Sequence, residues 1–287
     1  MALSPGRLGA WFLACRPKTL TVSLAPVLVG TALAWQQQAY LLWLPLLAAA
    51  LGAALIQIGT NLFNDVGDFL RGADQPGRVG PPRATAEGWL TPTAVRAGAW
   101  ASFALAFACG IYLVGHGGWP IVVIGLCSLA AGWAYTGGPR PIAYGPLGEL
   151  FVIAFFGVVA VGGSYYLQTL TLSPAALLAG LQLGLLAAAV ITVNNYRDLD
   201  SDAASGKRTL AVRLGRPATR WLYAGELLAP YLLLGGTAWP LLSLPLALVL
   251  IRRFWREAPG PGFNSLLAAT AGLQLVFALL LTLSLTI

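Results

Sequence analysis

Long apolar runs separated by short polar stretches make up this chain. The runs cover 19–36, 40–63, 95–115, 118–135, 147–168, 173–196, 217–236, 238–251 and 263–286. Several approach or exceed the ~20 residues that cross a hydrocarbon layer. The pattern predicts an all-α integral membrane protein of nine transmembrane helices, folded as one domain over 1–287. Pro26, Pro45, Pro120, Pro230 and Pro245 fall in or near these runs. Membrane helices tolerate them because neighbouring groups satisfy the freed carbonyls. The connections are unequal. Those at 64–94, 136–146 and 197–216 are long, whereas WQQQAY, GHGG, QTLTLS and GTAWP are short. Long connections in a compact bundle are where function concentrates.

Charge orients the bundle. The composition is 57% hydrophobic and 9% charged, and with nine spans all 17 Lys and Arg residues fall on one side. The short connections on the other side carry no formal charge. The positive-inside rule then places the N-terminus and all three long loops in the cytoplasm; a bacterial inner or cell membrane is the expected location. The net charge of +7 follows from this topology and from anionic headgroups, so no nucleic-acid partner is expected; no obligate protein partner is evident either. Cys15, Cys109 and Cys127 lack metal-ligand spacing and read as packing residues. The apolar stretch before Cys15 is too short for a signal peptide. His116 lies in an uncharged loop, away from the other polar residues.

Six of the ten acidic residues form two clusters. One is Asn64-Asp65-x-x-Asp68, with Asp74 beyond it. The other is Asn194-x-x-x-Asp198-x-Asp200-x-Asp202. Carboxylates beside hydrocarbon are costly unless paired or metal-bound, which makes them functional candidates. On a continuing helix, Asn64 and Asp68 share a face, as do Asn194, Asp198 and Asp202. Carboxylates stacked in this way would repel one another unless a cation stood among them. Mg2+ suits such a set, because it takes one or two carboxylates together with phosphate oxygens and water. Helix capping by Asp and Asn is the plainer reading of either cluster alone. The clusters echo each other 130 residues apart, which hints at two related halves around a central site. Asp200 breaks the facial pattern, and the role of Asp74 is open.

Basic and aromatic residues extend the picture. Arg78, Arg83 and Lys207 follow the clusters and suit phosphate oxygens; Arg16 and Lys18, before the first span, are further candidates. Arg213, Arg216, Arg220 and the 252–256 group read as topological charge. A metal-bound diphosphate in a membrane pocket suggests a lipid diphosphate, whose allylic cation aromatic faces can stabilise. Tyr135, Tyr144 and Tyr196 are placed near enough, together with Trp133, Tyr165 and Tyr166. Each of these also suits an interfacial or core position.

These motifs, with RPKTLTVSLAPVLVGTALAW at 16–35, QIGTNLFNDVGDFLRGAD at 57–74, VGPPRATAEGWLT at 79–91, YTGGPRPIAYGPLGELFVIAFFG at 135–157 and VNNYRDLDSDAASGKRTLAVRLG at 193–215, resemble the UbiA superfamily of intramembrane prenyltransferases. The details are most similar to its 1,4-dihydroxy-2-naphthoate branch, found in menaquinone and phylloquinone biosynthesis. The resemblance implies a nine-helix bundle around a lipid-accessible cavity, with Mg2+ held by Asn64, Asp65, Asp68, Asn194, Asp198 and Asp202. It gives catalytic roles to Asp65, Asp68, Asp198 and Asp202. Arg78, Arg83 and Lys207, with Arg16 and Lys18, would then meet the diphosphate. Asn61, Tyr135, Arg140, Tyr144 and Tyr196 become candidates for the prenyl chain or the aromatic acceptor. The implied reaction moves a polyprenyl group from its diphosphate to dihydroxynaphthoate, with loss of CO2. Two positions depart from the wider pattern. Gly72 stands where many relatives carry a third Asp, and Asn194 where many begin the second motif with Asp. An acceptor such as homogentisate or 4-hydroxybenzoate, and a cation-coupled transporter, are the competing readings. Transport would predict polar residues deep in several spans.

Overall fold

The computed structural model describes residues 5–72 and 79–287. Among them the secondary structure is helical throughout: α1 (Arg7–Cys15), α2 (Pro17–Gln38), α3 (Trp43–Leu70), α4 (Pro92–Gly117), α5 (Trp119–Ala134), α6 (Gly148–Ile153), α7 (Ala160–Thr169), α8 (Pro174–Arg197), α9 (Leu199–Ala204), α10 (Leu210–Leu232), α11 (Leu244–Arg256) and α12 (Gly262–Thr286). Among the described residues, six spans are long and apolar enough to cross a membrane: α2, α3, α4, the continuous stretch Gly148–Thr169, α8 and α12. The protein is therefore a multi-pass membrane protein. α5 is apolar but shorter.

Helix starts follow local chemistry. Pro17, Pro92 and Pro174 occupy first-turn positions, where a missing N–H costs nothing. The side chains of Thr91, Ser173 and Thr209 accept hydrogen bonds from Ala94, Ala175 and Val212 N–H, closing the first turns of α4, α8 and α10. The boundaries depart from the apolar runs where polar sequence continues a helix. α3 runs on to Leu70, so the first acidic cluster is helical. α10 begins at Leu210 and is bent at Gly215, whose φ of 71° breaks the helical path. A 3-10 turn at Trp239–Ser243 precedes α11. The short α1 lies outside the predicted runs.

Packing builds a bundle in which α2 and α8 are central. α2 contacts α3, α7, α8 and α12, while α8 contacts α6, α10 and α12. A π-helical turn at Ala154–Val159 joins α6 to α7 and lies against α8. Gly180 and Gly184, four apart on α8, allow this approach. A Cβ on Gly180 would stand 2.7 Å from Val158 Cα, and one on Gly184 2.6 Å from Ile153 O. Small residues at this spacing bring helix backbones together where no hydrophobic force separates lipid from protein. The largest apolar core gathers Tyr196, Tyr223, Leu227, Phe254, Phe263 and Phe277 between α8, α10, α11 and α12. The two acidic clusters end α3 and α8 at the same end of the bundle.

Candidate active site

The last turns of α3 bring Asn64, Asp65 and Asp68 to the rim of a cavity. Asp65 faces away from it and holds the 79–91 connection. Its oxygens accept hydrogen bonds from Ala84 N (2.9 Å) and Thr85 N (3.0 Å), and from the Thr85 hydroxyl. So anchored, the loop aims Arg83 at Asp68, 2.6 Å away, and Arg83 also donates to Asn64 O at 3.0 Å. Tyr144, in the 3-10 turn Ile142–Tyr144, donates its hydroxyl to Asp68 at 2.7 Å. Burial and the adjacent Asp68 carboxylate push the Tyr144 phenol above its usual range.

The second cluster reaches the cavity through a different device. After α9 the chain reverses at Gly206 (φ 80°). Gly206 N–H donates to Ala203 O, and Lys207 N–H to Asp202 O, in a Schellman-type cap. The reversal sets the Lys207 ammonium between the clusters, 3.6 Å from Asp68 and 3.4 Å from Asp202, and 4.7 Å above the Tyr144 ring. Arg208 N–H donates to Tyr144 O at 2.7 Å, fixing the two loops to each other. Burial, with Asp198 nearby, raises the Asp202 carboxyl to about 6 despite Lys207. On the opposite wall the Arg197 guanidinium binds Asp198 at 2.6 and 2.8 Å and Asn194 at 2.8 Å. It also donates to Asn264 on α12 at 2.6 Å, and Asn264 in turn donates to Val79 O at 3.0 Å.

These groups surround a cavity of about 490 Å3 lined by Asn64, Asp68, Arg83, Asn194, Asp198, Asp202 and Lys207, among others. Gln57, Thr60, Tyr135, Val152 and Phe156 line it and also a second chamber of about 500 Å3. That chamber is almost wholly apolar, walled by α2 to α7. Phe107, Ile111 and Leu126 line it and are at least half exposed, so it is not sealed from the bundle's flank.

The predicted residues divide accordingly. Asn64, Asp68, Asn194, Asp198, Asp202, Arg83, Lys207, Arg16, Asn61 and Tyr135 line the polar cavity. Tyr144 touches Asp68. Asp65 serves the loop. Lys18 and Arg140 are exposed and stand outside the lining, because each projects from a helix start or turn into solvent. Tyr196 is a correction to the sequence reading. Two residues beyond Asn194 on a helix, it points to the opposite side and packs between Phe254 and Phe263, with ring centroids 4.6 and 5.3 Å away. Arg78 and Asp74 lie outside the described residues. Sequence reasoning missed Arg197, Asn195 and Asn264. Arg197 stands between two candidate ligands, a position that could have singled it out from the topological charges. Asn264 carries no comparable signal.

The donor set fits a hard divalent cation. Every side chain offered is a carboxylate or amide oxygen, and an ammonium already occupies the space between Asp68 and Asp202. Among the described residues, no three Asp, Glu, His or Cys side chains form a group that could hold a metal ion by themselves.

A membrane-embedded helical bundle with an acidic pocket at one end, set against an apolar chamber, is the class that fold and site define. The chain belongs to the UbiA prenyltransferase family, which matches residues 23–261. It is 38% identical over 261 residues to the 1,4-dihydroxy-2-naphthoate octaprenyltransferase of Mycobacterium tuberculosis, covering 90% of this chain and 89% of that one. It is 41% identical over 224 residues to the enzyme of the same name from Escherichia coli, covering 76% and 72%. A UbiA homologue from Archaeoglobus fulgidus, solved bound to DMAPP and Mg2+, shares the fold with a TM-score of 0.67 at 14% identity, covering 95% of this chain and 98% of that one. An apo UbiA homologue from Aeropyrum pernix K1 gives a TM-score of 0.69 at 15% identity over 92% and 97%.

Proposed function

We propose that this protein is a Mg2+-dependent 1,4-dihydroxy-2-naphthoate polyprenyltransferase. Its bundle would cross the membrane nine times, with the N-terminus and the acidic pocket on the cytoplasmic side. The observation that carries the reading is Lys207, bridging the two acidic clusters in a polar cavity that shares part of its wall with an apolar chamber. A polyprenyl diphosphate has this same division, with a multiply charged head and a hydrocarbon tail. The named relatives support the choice of acceptor.

Asn64, Asp68, Asn194, Asp198 and Asp202 would hold the metal, which supplies the charge neutralisation that lets diphosphate depart. Arg83 and Lys207 stand within reach of the same space and offer N–H donors to the leaving oxygens. Tyr144 steadies Asp68 through its hydroxyl. Asp65 holds the loop that carries Arg83. The chamber lining keeps water from the allylic carbon, which would otherwise be hydrolysed. In the transfer, the allylic C–O bond breaks and its electron pair leaves on the diphosphate. The ring carbon bearing the carboxylate then donates a pair to the allylic carbon. The ring–carboxylate bond returns its electrons to the ring as CO2 departs, leaving a prenylated naphthoquinol and no net proton to remove. Purified protein with Mg2+, octaprenyl diphosphate and dihydroxynaphthoate should give this product, and Asp68→Ala and Asp198→Ala should abolish it. Unchanged turnover in either variant would overturn the assignment. Reporter fusions in the connections test the sidedness: signal from a cytoplasmic reporter in the 35–40 stretch would overturn it.

A further inference from the structure

A second carboxylate is buried just behind the wall of the polar cavity, outside both acidic clusters. Glu149, at the start of α6, is 4% exposed. Its Oε1 accepts a hydrogen bond from Asn195 Nδ2 at 3.0 Å, and its Oε2 has no partner. Burying an acid so poorly satisfied is expensive. A glutamine or an apolar residue there would cost less, so the acid asks for a purpose other than stability. Asn195 shows what that purpose is. It lines the cavity, and the Glu149 bond is the one hydrogen bond its side chain makes among the described residues. An asparagine amide can flip, but a carboxylate accepts only from its NH2 end. Glu149 therefore locks the amide with its carbonyl oxygen unused and available on the cavity side. Tyr135 lies close by, at the junction of the two chambers. Its hydroxyl is about 4.0 Å from the site a Cβ on Gly148 would fill, and makes no hydrogen bond among the described residues.

We infer that Asn195 accepts a hydrogen bond from a phenolic hydroxyl of the aromatic acceptor, that Tyr135 Oη offers the matching donor, and that Glu149 is the positioning residue that fixes the Asn195 amide. The inference rests on the proposed function and deepens it by naming an acceptor subsite. The place suits the task. It lies where the charged pocket meets the prenyl chamber, so a ring held there sits beside the carbon to be attacked. An oriented acceptor atom on the wall of a partly enclosed cavity, with no protein partner of its own, favours a ligand that brings a hydroxyl over one that lacks it.

Steady-state kinetics of the purified protein, with octaprenyl diphosphate, Mg2+ and either dihydroxynaphthoate or its two monomethyl ethers, test this. Losing one such hydrogen bond should raise the acceptor KM about tenfold in Asn195→Ala and Glu149→Ala, with the prenyl diphosphate KM unchanged. Glu149→Gln can present either end of its own amide to Asn195, so it no longer fixes the orientation and should raise the acceptor KM by less than Glu149→Ala but measurably above wild type. One monomethyl ether should show the same loss with wild-type protein and no further loss with Asn195→Ala. If Glu149→Ala does not fold, Asn195→Ala and Glu149→Gln still decide the matter. An acceptor KM that ignores Asn195→Ala, both KM values rising together, or ether and variant losses that multiply would each overturn the inference. Wild-type protein that prenylates no dihydroxynaphthoate overturns the proposed function and this subsite with it; an active wild type with any of the three results above overturns the subsite alone.

Discussion

Replacing Lys207 with methionine removes the positive charge between the two acidic clusters while keeping most of the side-chain volume. At 3.4 and 3.6 Å, each attraction is roughly 5 kcal/mol at an effective dielectric constant of about 20. Desolvation of the buried ammonium offsets much of that. Removing one partner of such a buried arrangement costs about 3–5 kcal/mol, because the remaining charges lose their compensation. The ammonium is shared between two carboxylates, one of which also holds Arg83, so the lower end of that range is expected. In metal-free protein in detergent, Lys207→Met should lower the thermal midpoint by several degrees. Mg2+ with a non-hydrolysable prenyl diphosphate analogue supplies cationic charge to the same space. It should therefore recover more of the midpoint in the variant than it adds to wild type, by the usual linkage of binding to stability. Turnover should nevertheless fall, since the ammonium is also a donor to the departing diphosphate. Thermal scans with and without Mg2+ and analogue, together with single-turnover product formation, measure both effects. A variant as stable as wild type without metal, and stabilised no further by it, would refute the idea that Lys207 occupies a cation's position.

Asp65→Ala should release the 79–91 loop by removing the acceptor for two backbone amides and one hydroxyl; limited proteolysis should cut within it, and the prenyl diphosphate KM should rise as Arg83 loses its aim. The raised Asp202 carboxyl gives a pH signature. In the folded, metal-free protein it holds its proton up to about 6, against 3.8 when unfolded, so its contribution to stability is present below 3.8 and is lost as pH rises towards 6. Metal binding needs the ionised form, so Mn2+ affinity followed by electron paramagnetic resonance should weaken as pH falls below about 6, and an affinity flat from pH 5 to 7.5 would contradict this. Gly180→Leu should destroy the close approach of α8 to the π turn and yield little folded protein by size-exclusion chromatography, whereas Gly225→Leu, exposed and with open space around it, should elute as wild type.

Much of this architecture was legible in hydropathy because lipid demands apolar length, and length is visible in a sequence. The acidic clusters were legible for the opposite reason: a carboxylate next to hydrocarbon stands out against its neighbours. What escaped was direction. Helical spacing placed Asp65 beside Asn64 and Asp68, yet a residue one step from a facial pair turns about 100° away, and Asp65 spends its oxygens on the loop behind. The same geometry sends Tyr196 into the aromatic core. The partners of Arg197 and Glu149 lie up to 67 residues away in sequence and follow no local rule. The Lys207 placement depends on a cap at Gly206, whose glycine was visible but whose consequence was not.

The two chambers meet at Gln57, Thr60, Tyr135, Val152 and Phe156, but they lead in different directions: one is rimmed by charged loops, the other is bordered by the half-exposed Phe107, Ile111 and Leu126 on the bundle's flank. On the proposed reaction this layout would sort the products by solubility. Diphosphate departs towards water, and the prenylated quinol slides sideways into the bilayer that its next user shares. With CO2 lost as well, the products of that reaction would part company at the junction, the charged one on the side of the loops and the apolar one on the side of the lipid.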